Sequence, residues 1–546
     1  MLINSPKLKQ VLLCVINRLT SFIIFRIQLP RLQLFMVGGL AVGGGILFGY
    51  DMGIISGALP QLEIYFNLSC FQQEMVVSTM LIGALFGSLI GGSLIDKFGR
   101  KTSILFSILL FFVGALVIAF TNSYSLLIVG RIVLGFAMSV SATAECIYIS
   151  EIAPCAVRGS LISFNELGIT VGILFSYVIN LAFAHDVING WRYMFGLSCL
   201  GALFVLIFII LLPQSPRFLI MQQRIDEARE SLFQVRKLES MVVRNLVEDE
   251  FNSMISNSRI EINLISIRSK KKLFYPLFVG SGLVFFQQST GQPNILFYAS
   301  KILIAMGFGS AESADLGAIS LGVSKVIATV ICLTIVDKFK RKSFLMVGSI
   351  SMLIILLSLV IVTFNSELDP GVVCSDNATD IINMSLTSSN SSQSDNSYTE
   401  NGTNKWMALI LLILFIAAFS MSFGPLTWII LSEIFPTDMR GRLFALATSL
   451  NWIINLILSA TFLRFAKETR GLTGPFLLNC SMSIISVFFV YLCVPETKGK
   501  TLEEVNNIMD QSNILSSKHT CSEIMCCSPE KESQVPLLVF TNSPTL

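Results

Sequence analysis

Repeated runs of about twenty apolar residues, the length that crosses a bilayer core at 1.5 Å per residue, constrain this chain more than any other feature. Windows of that length fall at 34–58, 76–95, 103–121, 125–150, 160–184, 191–213, 273–299, 314–336, 343–364, 406–432, 442–463 and 474–495. Backbone groups in lipid must satisfy one another, so isolated spans of this length read as helices. Composition agrees. Charged residues make up 13% of the 546 and hydrophobic ones 53%, with mean hydropathy +0.73, about half the charged share of a soluble domain. The expectation is an all-α membrane protein of about twelve transmembrane helices, with the lipid bilayer as its main partner. The net charge of +3 comes from basic residues in short runs between spans, which does not suggest nucleic-acid binding.

Those basic runs set the orientation, because cytoplasmic loops carry the excess of Lys and Arg. DKFGRK at 96–101, the stretch Arg217–Lys272, DKFKRK at 337–342, and Arg158, Arg440 and Arg442 all fall on one side, with Lys7 and Lys9. That side, with both termini, is expected to be cytoplasmic. Arg464, Lys467 and Arg470 break the rule and are outvoted. The loop 365–404 has no Lys or Arg before its end and carries acceptor sequences at Asn377, Asn383, Asn390 and Asn401, so it is expected outside and glycosylated. Of the twelve Cys, only Cys70 and Cys374 fall on that outer side, and a disulfide between them is the less favoured reading. The apolar stretch 11–25 is interrupted by Arg18 and has no cleavage pattern, which argues against a signal peptide.

The chain also repeats itself. LIDKFGRK at 94–101 returns as IVDKFKRK at 335–342, and Glu-Ile-x-Pro-x-x-x-Arg-Gly at 151–159 returns at 433–441. The second pair is farther apart than the first by about the length of the 365–404 loop. One six-span unit has been duplicated. The domains expected are a cytoplasmic N-terminal segment 1–33, a half at 34–213, a cytoplasmic helical linker 214–272, a second half at 273–495 and a cytoplasmic tail 496–546. Parallel halves of this kind hold substrate near the membrane midplane between them.

GRK after span two, Glu151 and Arg158, Pro213-Gln-Ser-Pro-Arg217, Gln287-Gln288, Gly424-Pro425 with Trp428, Asn451-Trp452 and Pro495-Glu-Thr-Lys-Gly499 together resemble the sugar porters of the major facilitator superfamily. The match runs over about 34–505. The long loop between spans nine and ten, with GQPNILFYAS at 291–300, is most similar to class III facilitated glucose transporters of solute carrier family 2, near members ten and twelve. The resemblance implies two pseudo-symmetric six-helix halves and a carrier of a hexose such as D-glucose by alternating access, facilitative or proton-coupled. The alternatives are a proton-coupled polyol or dehydroascorbate transporter and a non-transporting sugar sensor, for which the tail shows no signalling module. The membrane is the plasma membrane or an endomembrane.

A hexose is a ring of hydroxyls, so its site needs uncharged donors and acceptors at membrane depth and an aromatic face. Gln287, Gln288, Asn294, Trp428 and Asn455 supply them; singly, each is as well explained as glue between helices. Here Pro293 replaces an Asn usual in the family, and Thr427 replaces a Pro. Glu166 stands where the family typically has Gln and Lys325 where several members have Asn, so the two are expected to neutralise each other directly, through a water or through the sugar. Asp51 and Arg131 are the proton-coupling candidates, with a structural ion pair as the equal reading, and Glu145 is a further intramembrane acid. Asp96, Arg100, Glu151, Arg158, Asp337, Glu433 and Arg440 are expected to pair when the cytoplasmic side is shut, biasing the equilibrium between states. No catalytic residue, metal or cofactor is expected: only two His occur, neither in a span.

Overall fold

The computed structural model describes residues 31–153, 158–186, 188–236, 247–248, 251–252, 255, 274–308, 310–336, 338–365, 398–435, 440–469 and 471–498. Helices carry the chain: α1 (Arg31–Phe66), α2 (Cys70–Phe98), α3 (Arg100–Phe120), α4 (Tyr124–Ile152), α5 (Arg158–Ala182) and α6 (Gly190–Leu211), then the short α7 (Pro216–Met221) and α8 (Ile225–Arg236). After the linker come α9 (Phe274–Ser289), α10 (Gln292–Phe297), α11 (Ala299–Ala305), α12 (Ala311–Ile335), α13 (Arg341–Asn365), α14 (Tyr398–Met421), α15 (Phe423–Ile434), α16 (Arg440–Glu468) and α17 (Thr473–Cys493).

Among the described residues, eleven helical stretches are long and apolar enough to cross a membrane. The expected seventh span differs: it is delivered as α9, α10 and α11. Gly291 adopts φ +89°, a left-handed conformation that side chains disfavour, and Pro293 follows two residues later, so the helix restarts there. Span ten is broken at Ser422 between α14 and α15. Capping boxes at Ser69 and Ser310 start α2 and α12 by satisfying free backbone N–H groups.

Helices α1–α6 pack chiefly on one another, led by α1 on α5 and α2 on α4, and α9–α17 do the same, led by α13 on α17 and on α14. The first contact depends on small residues. A Cβ on Gly49 would meet the backbone carbonyl of Ile169, and one on Gly168 would lie 2.5 Å from that of Val42. Close backbone approach of this kind is what holds helices together where lipid competes for apolar contact. The two groups, here the first and second halves, meet along α2–α16 and α5–α12. Outward positions such as Leu89, Leu109, Leu200, Ile207, Ile354 and Phe488 are exposed, an apolar belt that only lipid would cover. Between α6 and the second half, Leu219, Ile220, Ala228, Leu232, Val247 and Phe251 form a separate small core.

Candidate functional site

The break in the seventh span places side chains at its rim. Gln287 donates from Nε2 to the carbonyls of Phe423 at 2.9 Å and Gly424 at 3.3 Å, tying α9 to the start of α15. Gln288 donates to Asn451 Oδ1 on α16, and Asn294 donates to the Leu458 carbonyl at 3.3 Å. Each amide is thus held by its nitrogen while its oxygen is buried with no hydrogen-bond partner: Gln287 Oε1, Gln288 Oε1 and Asn294 Oδ1. Asn455 Oδ1, Thr427 Oγ1 and Trp452 Nε1 are in the same condition. Trp428 is half-buried, its ring 5.4 Å from that of Phe444. Leaving buried polar atoms unmatched costs about 1–3 kcal/mol each. A set of them on α9, α10, α15 and α16 therefore marks a surface suited to a ligand rich in hydroxyls. Sequence reasoning missed Thr427 and Trp452 as members of this set.

Glu166 on α5 and Lys325 on α12 face each other across the halves within electrostatic reach. Among the described residues they form no ion pair within 4.0 Å, so of the direct, water-mediated and sugar-mediated contacts expected from sequence the direct one is not seen. Lys325 Nζ instead lies 5.8 Å from the Phe419 ring centre. Asp51 and Arg131 do pair, Oδ1 to Nη1 at 3.5 Å and both fully buried, with Arg131 Nε donating to the Val76 carbonyl at 3.2 Å.

Most polar contacts across the halves gather at one end of the molecule, here the Glu63 end; farther along, Ser88 of α2 meets Ser449 of α16 at 3.1 Å. Lys301 of α11 lies 2.7 Å from Glu63 Oε2 and also bonds Gln73, whose own amide donates to Glu63 Oε1 at 2.7 Å. Arg464 of α16 takes Glu74 of α2 in two bonds, 2.6 and 2.9 Å. Ser300 donates to Asp315 at 2.6 Å and meets Ser56 at 3.0 Å. This accounts for one of the basic residues that broke the charge rule: Arg464 is there to meet a buried acid. Nothing in the sequence pointed to Lys301 or Glu63. Cys70, at the same end, is disulfide-bonded; Cys374 lies outside the described residues.

At the opposite, Arg100 end the ion pairs seen among the described residues lie within each half. Arg100 reaches Glu151 at 3.0 Å and Asp96 at 3.6 Å, and Ser215 donates to Glu151. In the second half Glu433 meets Arg341 at 3.7 Å and accepts from Thr497 Oγ1 at 2.5 Å. The two clusters match: an acid, an Arg that starts a helix, and a hydroxyl two residues after Pro213 or Pro495. Those hydroxyls were missed, although the repeated Pro-x-Ser/Thr pattern was a readable signal. Asp337, the side chains of Arg158 and Arg440, the loop residues Asn377, Asn383 and Asn390, and the Asn401 side chain lie outside the described residues.

An orphaned polar set on four helices of the second half is what a carrier of small polar solutes would offer, and comparison with known proteins agrees. A profile described as "Sugar (and other) transporter" matches residues 38–509, and the chain belongs to that family. It is similar to facilitated glucose transporter member 10 of solute carrier family 2 from Danio rerio, 40% identical over 88% of this chain and 93% of the relative. It is also similar to member 12 from Homo sapiens, 37% identical over 93% and 91%. Among solved structures, the inward-open xylose transporter XylE from E. coli superimposes with TM-score 0.68 at 28% identity, covering 87% of this chain and 99% of that one.

Proposed function

We propose that this chain carries a hexose such as D-glucose across a membrane by alternating access, with the Arg100 end in the cytoplasm. The observation that carries it is the wall of buried, unmatched amide oxygens at Gln287, Gln288, Asn294 and Asn455, joined by the Trp452 N–H donor. Sugar hydroxyls can donate to those oxygens and accept from Trp452, while the half-buried Trp428 offers an aromatic face. Glu166 and Lys325 form no ion pair within 4.0 Å among the described residues, and in this reading a sugar hydroxyl or a water bridges them. The similarity to facilitated glucose transporters supports the substrate class.

The cross-half contacts at the Glu63 end, with each Arg100-end cluster kept inside its own half, support reading this state as open to the cytoplasm. Rocking the halves would break the first set and expose the wall to the other side. Both termini then lie in the cytoplasm, the 365–404 loop outside with its glycans, and the membrane is the plasma membrane or an endomembrane.

A second reading, proton-coupled transport, is favoured by the buried acids Asp51 and Glu145 and the part-buried Glu166. One relative in fold is a D-xylose-proton symporter, at TM-score 0.64 and 27% identity.

Uptake of radiolabelled D-glucose by proteoliposomes of the purified chain tests the main reading. Saturable uptake that excess unlabelled hexose competes away is expected; uptake no greater than in empty vesicles would overturn it.

A further inference from the structure

Asp51 has a counter-charge in Arg131, and Glu166 has one within reach in Lys325. Glu145 has neither. It lies on α4, 2% exposed, seven residues before the helix ends at Ile152. Ser141, one turn earlier, donates to Oε1 at 2.7 Å. Oε2 is buried with no hydrogen-bond partner, and Glu145 takes part in no ion pair among the described residues.

The unmatched oxygen belongs to a cavity bounded by Gly44 and Phe48 of α1, Ser107 and Phe111 of α3, and Met138 and Ser141 of α4. A Cβ on Gly44 would land on Oε2, so the oxygen fits only because residue 44 has no side chain. Ser107 is already committed to the Ser103 carbonyl at 2.8 Å.

The surrounding charges are accounted for. From α5, Glu166 reaches the same neighbour, Cys146, that Glu145 does, and its cation is Lys325 of α12. From α1, Asp51 has Arg131 at 3.5 Å as its counter-charge, although neither of its carboxyl oxygens has a hydrogen-bond partner. At the helix end Arg100 of α3 is taken by Glu151 and Asp96. Of the three acids Asp51, Glu145 and Glu166, the first and last face the cations Arg131 and Lys325, and Glu145 is the one left over. An ionised carboxyl at membrane depth costs about 2.5–3.5 kcal/mol on insertion scales, and a bound proton removes that cost.

We propose that Glu145 is a proton-binding site of the transport cycle, neutral in the state seen here and ionised in another. The cavity wall provides the route from sugar to proton. Phe48 lines it, and its ring lies 6.2 Å from Trp452 on α16 of the other half, next to the Asn451 that holds Gln288. When the halves rock, Trp452 of the second half moves away from Phe48 on the cavity wall, water reaches Oε2, and the carboxyl gives its proton to that water as hydronium; the reverse step reloads it. Asp51 and Arg131 then serve as a fixed pair. This inference rests on the hexose-carrier reading with proton coupling.

Two measurements on the full chain in liposomes test it. Infrared difference spectra across pH should show a protonated-carboxyl band that Glu145→Gln removes and Asp51→Asn leaves. Persistence of that band in Glu145→Gln overturns the proposal whether or not the protein transports sugar. Under an inward proton gradient, wild type should accumulate labelled D-glucose above its equilibrium level, and Glu145→Gln should lose that accumulation relative to its own counterflow. Wild-type counterflow without gradient-driven accumulation also overturns the proposal, as does accumulation retained in Glu145→Gln. Absence of wild-type counterflow instead sinks the hexose reading, and the infrared band then decides alone. Should Glu145→Gln fail to insert, Ser141→Ala replaces it. Removing the donor that favours the ionised form should move the pH midpoint of accumulation upward, and an unmoved midpoint overturns the proposal.

Discussion

Gln287 and Asn455 show what single residues contribute and how far they could be read from sequence. Both were expected at the site from their type and place, but which atom is available is a structural fact: Gln287 spends its nitrogen on two backbone carbonyls and keeps only its oxygen. Replacing Asn455 by Leu should therefore remove one acceptor and weaken hexose binding by about 1 kcal/mol, roughly fivefold. A binding isotherm unchanged in Asn455→Leu would place the sugar elsewhere. Glu166 and Lys325 were legible as a charge-balanced pair from opposite halves; their separation was not, because a sequence carries no depth scale finer than a helical turn. At that separation the single changes Glu166→Gln and Lys325→Asn should each impair transport, and the double should recover part of the loss. A coupling of about 1 kcal/mol is expected. Strict additivity in that cycle would mean that neither sugar nor water links them.

At the scale of elements, hydropathy located the spans because each apolar run is continuous in the chain, and it failed where function interrupts a run. The seventh window was apolar enough to pass as one helix, yet Gly291 and Pro293 split it and set Gln287, Gln288 and Asn294 around the break. The latch at the Glu63 end was illegible for another reason: Lys301 meets Glu63 and Gln73 across 238 and 228 positions, with no periodicity to relate them. Breaking a buried pair costs about 3–5 kcal/mol, and here the cost falls on the state in which the halves meet at this end. Lys301→Ala should thus shift the population toward the opposite state. A cysteine placed at Ser56, buried beneath the latch, should react with a membrane-impermeant maleimide several-fold faster in Lys301→Ala than with Lys301 intact. Equal labelling rates would show that the latch does not hold the state.

For the whole molecule, the duplication visible in 94–101 and 335–342 extends to the two acid–Arg–hydroxyl clusters, Arg100–Glu151–Ser215 and Arg341–Glu433–Thr497. Sequence alone placed Glu433 in a set of acids and arginines expected to pair, and the partner seen, Arg341 at the start of α13, was not among them. The clusters and the latch lie at opposite ends of the helices, so fixing the sidedness of one fixes the other. The Asn67 sequon follows directly on α1 at the Glu63 end, and 365–404 joins α13 to α14 at that same end. If the Arg100 end is cytoplasmic, all five acceptor sites face the lumen during synthesis, where glycans are attached. Protein expressed in mammalian cells should then migrate faster on gels after glycosidase treatment. Replacing Asn377, Asn383, Asn390 and Asn401 together should remove most of that change, and adding Asn67→Gln should abolish any remainder. A glycosidase effect that survives all five replacements would come from glycans on the opposite side. The Arg100 clusters would then face outward and the state seen here would open away from the cytoplasm.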